Sequence, residues 1–540
     1  MRGQNVLGYR NYLVFGAARS GLAAARLLKS RGKNVVVFDQ APPEKLADAR
    51  KVLEDLQIPL LTDLRLETGG LRIGDWGLGI ADCGLRIADC ELRIEETVDL
   101  GRDKVGRASR PPAPNLNPQS SVPSPQSTIG NPQSAIHNPQ SSSPQPPAYS
   151  LPAWEVLVLS PGIPPSHPLV RKAEEEGCLV CSEIEIGGAA SPAPILAITG
   201  TNGKTTVTHL TAHLFQSAGF TAPVAGNVGT PLCSVVMDPA LKEAGAVISC
   251  EVSSYQLETI IRFRPAVACV LNITPDHLDR YGSVERYAEA KRRITLNQAA
   301  GDVLVLNGDD PRCLSFASGA KAEVWHFSLE RPVAMGTFVR QGSVVLSLGD
   351  PDSPIPVIPL RDIPLPGMHN AANVLAAVAI GAARGLDPAA MADAVRKFRA
   401  VPHRIEWVGR IGGVDYYNDS KATNLDSLEK ALLSFERPIV LIAGGRDKGA
   451  PWTVLNDLVK SRVKGLVLIG EAAPIGKAAW GDLVSRTEMA QDMAEAVRRC
   501  RAMAGPGDVV LLSPACASFD MYRNFEERGD HFRRLVQEMV

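Results

Sequence analysis

One stretch narrows the folding options of this chain more than any other: Ile195-Leu196-Ala197-Ile198-Thr199-Gly200-Thr201-Asn202-Gly203-Lys204-Thr205-Thr206. The apolar run Ile195 to Ile198 predicts a buried strand, because short β-branched runs pack well on a sheet covered on both faces. Gly200 and Gly203 let the backbone bend sharply and bring its N–H groups close to an anion. Lys204 adds a mobile positive charge, and Thr205 a hydroxyl that can sit on Mg²⁺. Val207 to Ala218 has helical character. Bound phosphates would therefore lie on a helix N-terminus, where unpaired N–H groups and the dipole favour negative charge. Ile198 stands where the usual eight-residue phosphate loop has its first glycine, so this loop is a shortened form.

A chain of 540 residues accommodates three domains, or two with a large insertion. A formal net charge of −1 argues against a polyanion-binding surface, so nucleic acid and acidic membrane are not expected partners. The ten cysteines are scattered. The strand-like settings of Cys250 and Cys269 suggest small buried residues in a reducing compartment. Cys178 and Cys181 form a single CxxC with no second pair nearby, which disfavours zinc. Met1 to Asn11 is polar, with no signal-peptide core. No apolar run approaches the roughly 20 residues of a membrane span. A cytoplasmic protein is expected.

Tyr12 to Gly16 reads as a strand ending in glycine, followed by a helical pattern from Leu22 to Arg31. A second strand, Asn34 to Phe38, ends at Asp39. This is the β-α-β layout of a Rossmann-like half. Ala18 replaces the glycine that would let a dinucleotide pyrophosphate approach, so the motif indicates a nucleotide-handling domain without naming the nucleotide. From about 65 to 150 the character changes. A near-repeat of seven starts at Leu71, Leu78, Leu85 and Leu92, and Asn-Pro-Gln-Ser units follow. The Pro/Ser/Gln tract cannot bury enough apolar area to offset its chain entropy, and disorder is expected. Order returns at Glu155 to Pro164, read as the next strand of the first domain. The expected organisation is therefore α/β throughout. Residues 1–190 form a Rossmann-like domain interrupted by the insertion at about 65–150, with Glu183 to Pro194 as linker. Residues 191–400 form a phosphate-loop domain with a mostly parallel sheet, and 401–540 a second Rossmann-like domain.

In open parallel sheets, ligand groups gather at the carboxyl ends of strands. Strand Ala246 to Cys250 delivers Glu251, and strand Ala266 to Leu271 delivers His277, both at the same sheet end as the phosphate loop. Three strand ends on one crevice suit a metal–nucleotide site. Magnesium takes oxygen ligands and keeps several waters, so few protein ligands are needed. Thr205 and Glu251 offer oxygen, whereas His277 is equally readable as a hydrogen-bonded strand-end histidine. Tyr287 to Ile294 reads as a helix ending in a basic cluster, where Lys291 alone would pass for a solvated lysine.

The shortened loop occurs with G-N-V-G (Gly226 to Gly229), E-V-S-S-Y-Q-L-E (Glu251 to Glu258), N-I-T-P-D-H-L-D-R-Y (Asn272 to Tyr281) and P-G-M-H-N (Pro366 to Asn370). Further on come P-H-R (Pro402 to Arg404), D-S-K-A-T-N (Asp419 to Asn424), G-G-R-D-K-G (Gly444 to Gly449) and S-P-A-C-A-S-F-D (Ser513 to Asp520). Together these motifs resemble the Mur ligases, the ATP-dependent amide ligases that build the peptidoglycan peptide, and among them the branch that adds D-glutamate. The resemblance covers the chain apart from the insertion. It implies a ligase that joins D-glutamate to UDP-N-acetylmuramoyl-L-alanine through an acyl phosphate, with ATP and Mg²⁺.

By the same resemblance, Gly200, Thr201, Asn202, Gly203, Lys204, Thr205, Thr206, Asn370, Arg404, Asp419 and Lys421 would bind ATP. Thr205, Glu251 and His277 would hold magnesium, and Lys291 would be a lysine carbamylated by CO₂. Lys204, Glu251, His277 and Lys291 would carry the catalysis. Arg19, Ser20, Asp39, Gln40 and Gly162 would line the UDP end, and Asn227, Ser253 and Gln256 the muramoyl-alanine end. Thr423, Lys448, Ser518 and Phe525 would receive D-glutamate. A monomer whose third domain swings onto the second is expected. Rival readings are a sister Mur ligase, a folylpolyglutamate-synthetase-like ligase, and a nucleotide-gated binding protein. The diamino-acid branch would be expected to carry a D-N-P-R motif in the third domain, which is absent from this sequence.

Overall fold

Three sheets, each with a parallel centre, organise the chain. The computed structural model describes residues 5–62, 65–67, 70–72, 154–227, 229–399 and 401–539. The Asn-Pro-Gln-Ser tract and nearly all of the heptad-like repeat lie outside these residues.

The first sheet runs, edge to edge, through Leu60–Leu61, Asn34–Phe38, Asn11–Phe15, Val156–Leu159 and Leu179–Ser182, all parallel. The strand order reverses beside Asn11–Phe15, which opens a crevice at its carboxyl end. Packing there is close: a Cβ on Gly21 would sit 1.8 Å from the carbonyl oxygen of Gly16. Only glycine lets the Arg19–Ser30 helix lie so near the strand.

The second sheet runs through Ile355–Pro359, Ser343–Leu348, Met335–Arg340, Glu323–Ser328, Val303–Asn307, Val267–Val270, Ile195–Thr199, Ile248–Glu251 and Val224–Gly226. Seven of these strands pair in parallel, and the other two add antiparallel at the first-named edge. Ile195–Thr199 is buried at every position, as a strand covered on both faces must be. One covering layer is the Met368–Ala383 helix packed on the Lys204–Ser217 helix. The third sheet runs through Glu406–Ile411, Val414–Asn418, Val509–Leu512, Ile439–Gly444, Val463–Ile469 and Arg486–Met489, parallel except for its first pair. Arg528 is buried behind it. Its guanidinium donates to the carbonyls of Ser420, Cys516 and Ala517 and to the Ser420 hydroxyl, tying together two loops that face the second domain.

The segment expected to be a linker, Glu183 to Pro194, is instead a helix over Glu183–Ala190. Tertiary contact explains it. A Cβ on Gly187 would meet Leu232 at 2.7 Å, and one on Gly188 would meet Phe263 at 2.7 Å. The Glu185 carboxylate accepts the N–H groups of Ile261, Arg262 and Phe263 at 2.8–3.0 Å. These glycines and acids look like loop composition, yet each fits a socket on the second domain.

Glu183 is also buried. One of its oxygens accepts the Cys233 N–H at 2.6 Å, while the other has no partner. Burial pushes its carboxyl up to about 7 from 4.5. A raised folded-state pKa gives a contribution to stability that is complete below 4.5 and is lost as pH rises through about 7. Thermal melts should therefore show Glu183→Gln gaining stability relative to the native chain between those two pH values. A constant difference across that window contradicts the assignment.

Candidate active site

The phosphate loop begins at the carboxyl end of Ile195–Thr199 and is stapled to the end of Val267–Val270. The Thr201 N–H donates to the Asn272 carbonyl at 2.9 Å, and the Asn202 N–H to Asn272 Oδ1 at 2.8 Å. Asn272 Nδ2 returns a bond to the Asn202 carbonyl at 3.1 Å, and the Thr274 N–H donates to Thr201 Oγ1 at 3.0 Å. Gly203 closes the loop at φ +84°, where a Cβ would lie 2.4 Å from Asn373 Oδ1. The helix then starts directly at Lys204, three residues earlier than the apolar pattern indicated, because Gly203 turns the chain so abruptly.

Lys204 folds back, its Nζ donating to the carbonyls of Gly200 and Thr201 at 2.9 Å each. Thr205 Oγ1 donates to Glu251 Oε2 at 2.7 Å, and Asn227 Nδ2 donates to Glu251 Oε1 at 3.0 Å. Arg404, from the third domain, reaches Thr205 Oγ1 at 2.6 Å. Burial by itself raises the Glu251 carboxyl. Lys204 and Arg404 outweigh that effect, with help from the Thr205 and Asn227 hydrogen bonds, and hold it below the ordinary range. Lys291, 1 % exposed, donates to the Gly200 carbonyl at 2.8 Å. Burial, reinforced by Lys204, pushes its amine well down, so it favours the neutral form.

Asn202, Gly203, Thr206 and Asn370 line one wall of a cavity whose facing wall is Arg404, Asp419 and Lys421 from the third domain. Asp419 accepts the Ser513 hydroxyl at 2.8 Å and the Ile405 N–H at 3.2 Å, and burial raises it to about 7. Burial, with Arg404 nearby, lowers Lys421 to about 8. A second cavity of about 190 Å³ shares Asn202 and Gly203 and runs on past Asn272, Asn307 and Phe327. His277, at φ +52°, pairs its Nδ1 with the Tyr255 hydroxyl at 2.9 Å, and its Nε2 is 3.7 Å from Asp276.

The other expected groups are distributed over all three domains. Arg19, Ser20, Asp39, Gln40 and Gly162 follow three strands of the first sheet, at its crevice. Asp39 is engaged by the N–H groups of Ala17 and Ala41 at 2.6 and 2.8 Å. Arg19 reaches across to the Gly229 carbonyl. Asn227, expected at the muramoyl-alanine end, lies on Glu251. Ser253 and Gln256 bond each other in a capping box. Lys448 Nζ is 3.3 Å from Thr423 Oγ1, Lys421 Nζ lies 4.3 Å above the Phe525 ring, and Ser518 is buried. Sequence reasoning passed over Asn373, His369 and Lys430, which line both cavities. Asn373 was findable, standing one helical turn after Asn370 and bonded to it at 3.0 Å.

Fold and site together define a class: three α/β domains with a phosphate loop in the middle one and cationic groups brought to it by the last. Family models agree, the Mur ligase middle domain matching residues 198–381 and the Mur ligase glutamate ligase domain residues 403–516. The chain is 45 % identical over 388 residues to the UDP-N-acetylmuramoylalanine–D-glutamate ligase of Koribacter versatilis, covering 72 % of this chain and 84 % of that one. For the ligase of the same name from Salinibacter ruber the figures are 45 % over 396 residues, with 72 % and 85 % covered. A UDP-N-acetylmuramate–alanine ligase of Thermotoga maritima superposes with a TM-score of 0.54 at 15 % identity, covering 98 % of this chain and 100 % of that one. A pseudomurein peptide ligase of Methanothermus fervidus gives 0.53 at 14 %, with the same coverage. The chain belongs to the Mur ligase family, in its UDP-N-acetylmuramoylalanine–D-glutamate ligase branch.

A side chain at position 203 would have to adopt the left-handed conformation and displace Asn373. The conformation alone costs about 1–2 kcal/mol, and about 1.4 kcal/mol is a tenfold change in affinity. Titration of Gly203→Ala with ADP should show binding weakened by about tenfold or more; native affinity would contradict this account of the loop.

Proposed function

We propose that this chain is the ATP-dependent ligase that joins D-glutamate to UDP-N-acetylmuramoyl-L-alanine, working as a cytoplasmic monomer in peptidoglycan precursor synthesis. One observation carries the reading. The buried Glu251 carboxylate, held below the ordinary range by the phosphate-loop Lys204 and by Arg404, shares the Thr205 hydroxyl with that arginine, which comes from the third domain and lines the cavity beside the loop. Among the described residues no helix is long and apolar enough to cross a membrane.

A carboxylate is a poor electrophile, so the reaction takes two transfers. The substrate carboxylate attacks the γ-phosphorus of ATP; an O–P bond forms, the β–γ bridge breaks and ADP leaves. The amine of D-glutamate then attacks the acyl carbon, loses a proton, and phosphate departs. Lys204 swings from its own loop carbonyls to the phosphates, and Arg404 and Lys421 add charge from the opposite wall. Lys448 and Thr423 receive the carboxylates of the incoming amino acid. Asp39 and Arg19 hold the uridine nucleotide in the crevice of the first sheet.

The donor set fits magnesium: Thr205 and Glu251 present hard oxygens, and Glu251 keeps its negative charge although buried. His277, the third candidate ligand by the family resemblance, pairs with the Tyr255 hydroxyl and lies near Asp276. Magnesium bound there would neutralise developing phosphate charge. Lys291 suits carbamylation, since a neutral buried amine can attack CO₂, form an N–C bond and release its proton. The product is an anion beside the phosphate loop.

Phosphate release with UDP-N-acetylmuramoyl-L-alanine should require D-glutamate and ignore L-glutamate and diaminopimelate; release indifferent to D-glutamate would falsify the proposal. Lys291→Ala should lose most activity and regain part of it with formate or acetate, and a complete lack of rescue would exclude the carbamate.

A further inference from the structure

The Leu425–Leu433 helix of the third domain carries two charged side chains one turn apart. Lys430 Nζ donates to both Asp426 oxygens, at 3.0 and 2.8 Å. On its own such a pair steadies a helix only slightly. Here it has a third partner from another domain. Asn202 of the phosphate loop donates its Nδ2–H to the same Asp426 carboxylate, while its own N–H and carbonyl are clamped by Asn272. Lys430 meanwhile lines both cavities that flank the loop. One carboxylate thus links the third domain, the phosphate loop and the nucleotide cavity.

We propose that Asp426 is a positioning residue: oriented by Lys430, it fastens the third domain onto Asn202 and so couples the docking of that domain to the shape of the phosphate loop. The inference rests on the ligase reading of the site. Arg404, Asp419 and Lys421 can face the loop only while the third domain is docked, and the Asp426–Asn202 link lies on the same seam. An asparagine at 426 keeps an oxygen for Asn202 but loses the pull of Lys430, whereas an alanine loses both.

The test titrates the full chain with ADP and Mg²⁺ and measures steady-state kinetics. Asp426→Ala should weaken ADP by about tenfold and raise the ATP KM, with an unchanged melting temperature and an unchanged KM for the uridine nucleotide. Asp426→Asn should recover most of the loss. Because both side chains serve one contact, Asp426→Ala combined with Asn202→Ala should bind ADP no more weakly than Asn202→Ala alone. Native ADP affinity in Asp426→Ala, or losses that multiply in the double variant, would overturn the inference. The titration needs no turnover. A native chain that failed to ligate D-glutamate would refute the functional reading, while the ADP data would still decide the role of Asp426.

Discussion

A carboxylate buried beside a phosphate-binding loop is the constraint on which the rest of the architecture depends. Burial alone pushes the Glu251 carboxyl up, toward the protonated form, which attracts a cation far less than the carboxylate does. Lys204 and Arg404 keep it ionised, and they come from different places. Lys204 arrives through the parallel register that sets Glu251 beside Ile198, so two neighbouring strands end level with each other. Arg404 arrives with the third domain. The electrostatic state of the central site is thereby tied to the docking of another lobe.

That docking leaves its mark on the backbone. His403 and Ile405, on either side of Arg404, have φ of +64° and +45°, and a β-branched residue there is strained. The surroundings impose it. His403 pairs with Asn418 at 3.0 Å, and the Ile405 N–H is taken by Asp419. The strained turn is how a short connection delivers a buried guanidinium to Thr205 while starting the next sheet.

The first sheet and the second are joined less by a tether than by a packed helix. Glu185 satisfies three consecutive backbone N–H groups of the second domain, so the crevice that follows Asn11–Phe15 is carried on a rigid support. Arg19 then spans to Gly229, close to Asn227, which itself holds Glu251. Arg19 thereby carries the crevice of the first sheet to within two residues of the asparagine that holds the central carboxylate.

Local chemistry was enough to read much of this. The phosphate loop, the acid after the second strand and the strand-end placement of Glu251 are visible because glycine, lysine and short β-branched runs carry their conformational meaning with them. Strands 323–328, 335–340, 343–348 and 355–359 went unread, since their mixed patterns become strands only by pairing along a growing sheet edge. The Glu183–Ala190 helix was hidden for a related reason: its glycines are explained by Leu232 and Phe263, which are distant in sequence. The chain by itself thus determined where phosphate can bind and which residues can bear charge, because those properties belong to side chains and short backbone segments. Tertiary structure alone decided that Arg404 and Asp426 meet that loop, that Glu251 stays ionised and that Lys291 is buried, because each depends on distance between groups far apart along the chain.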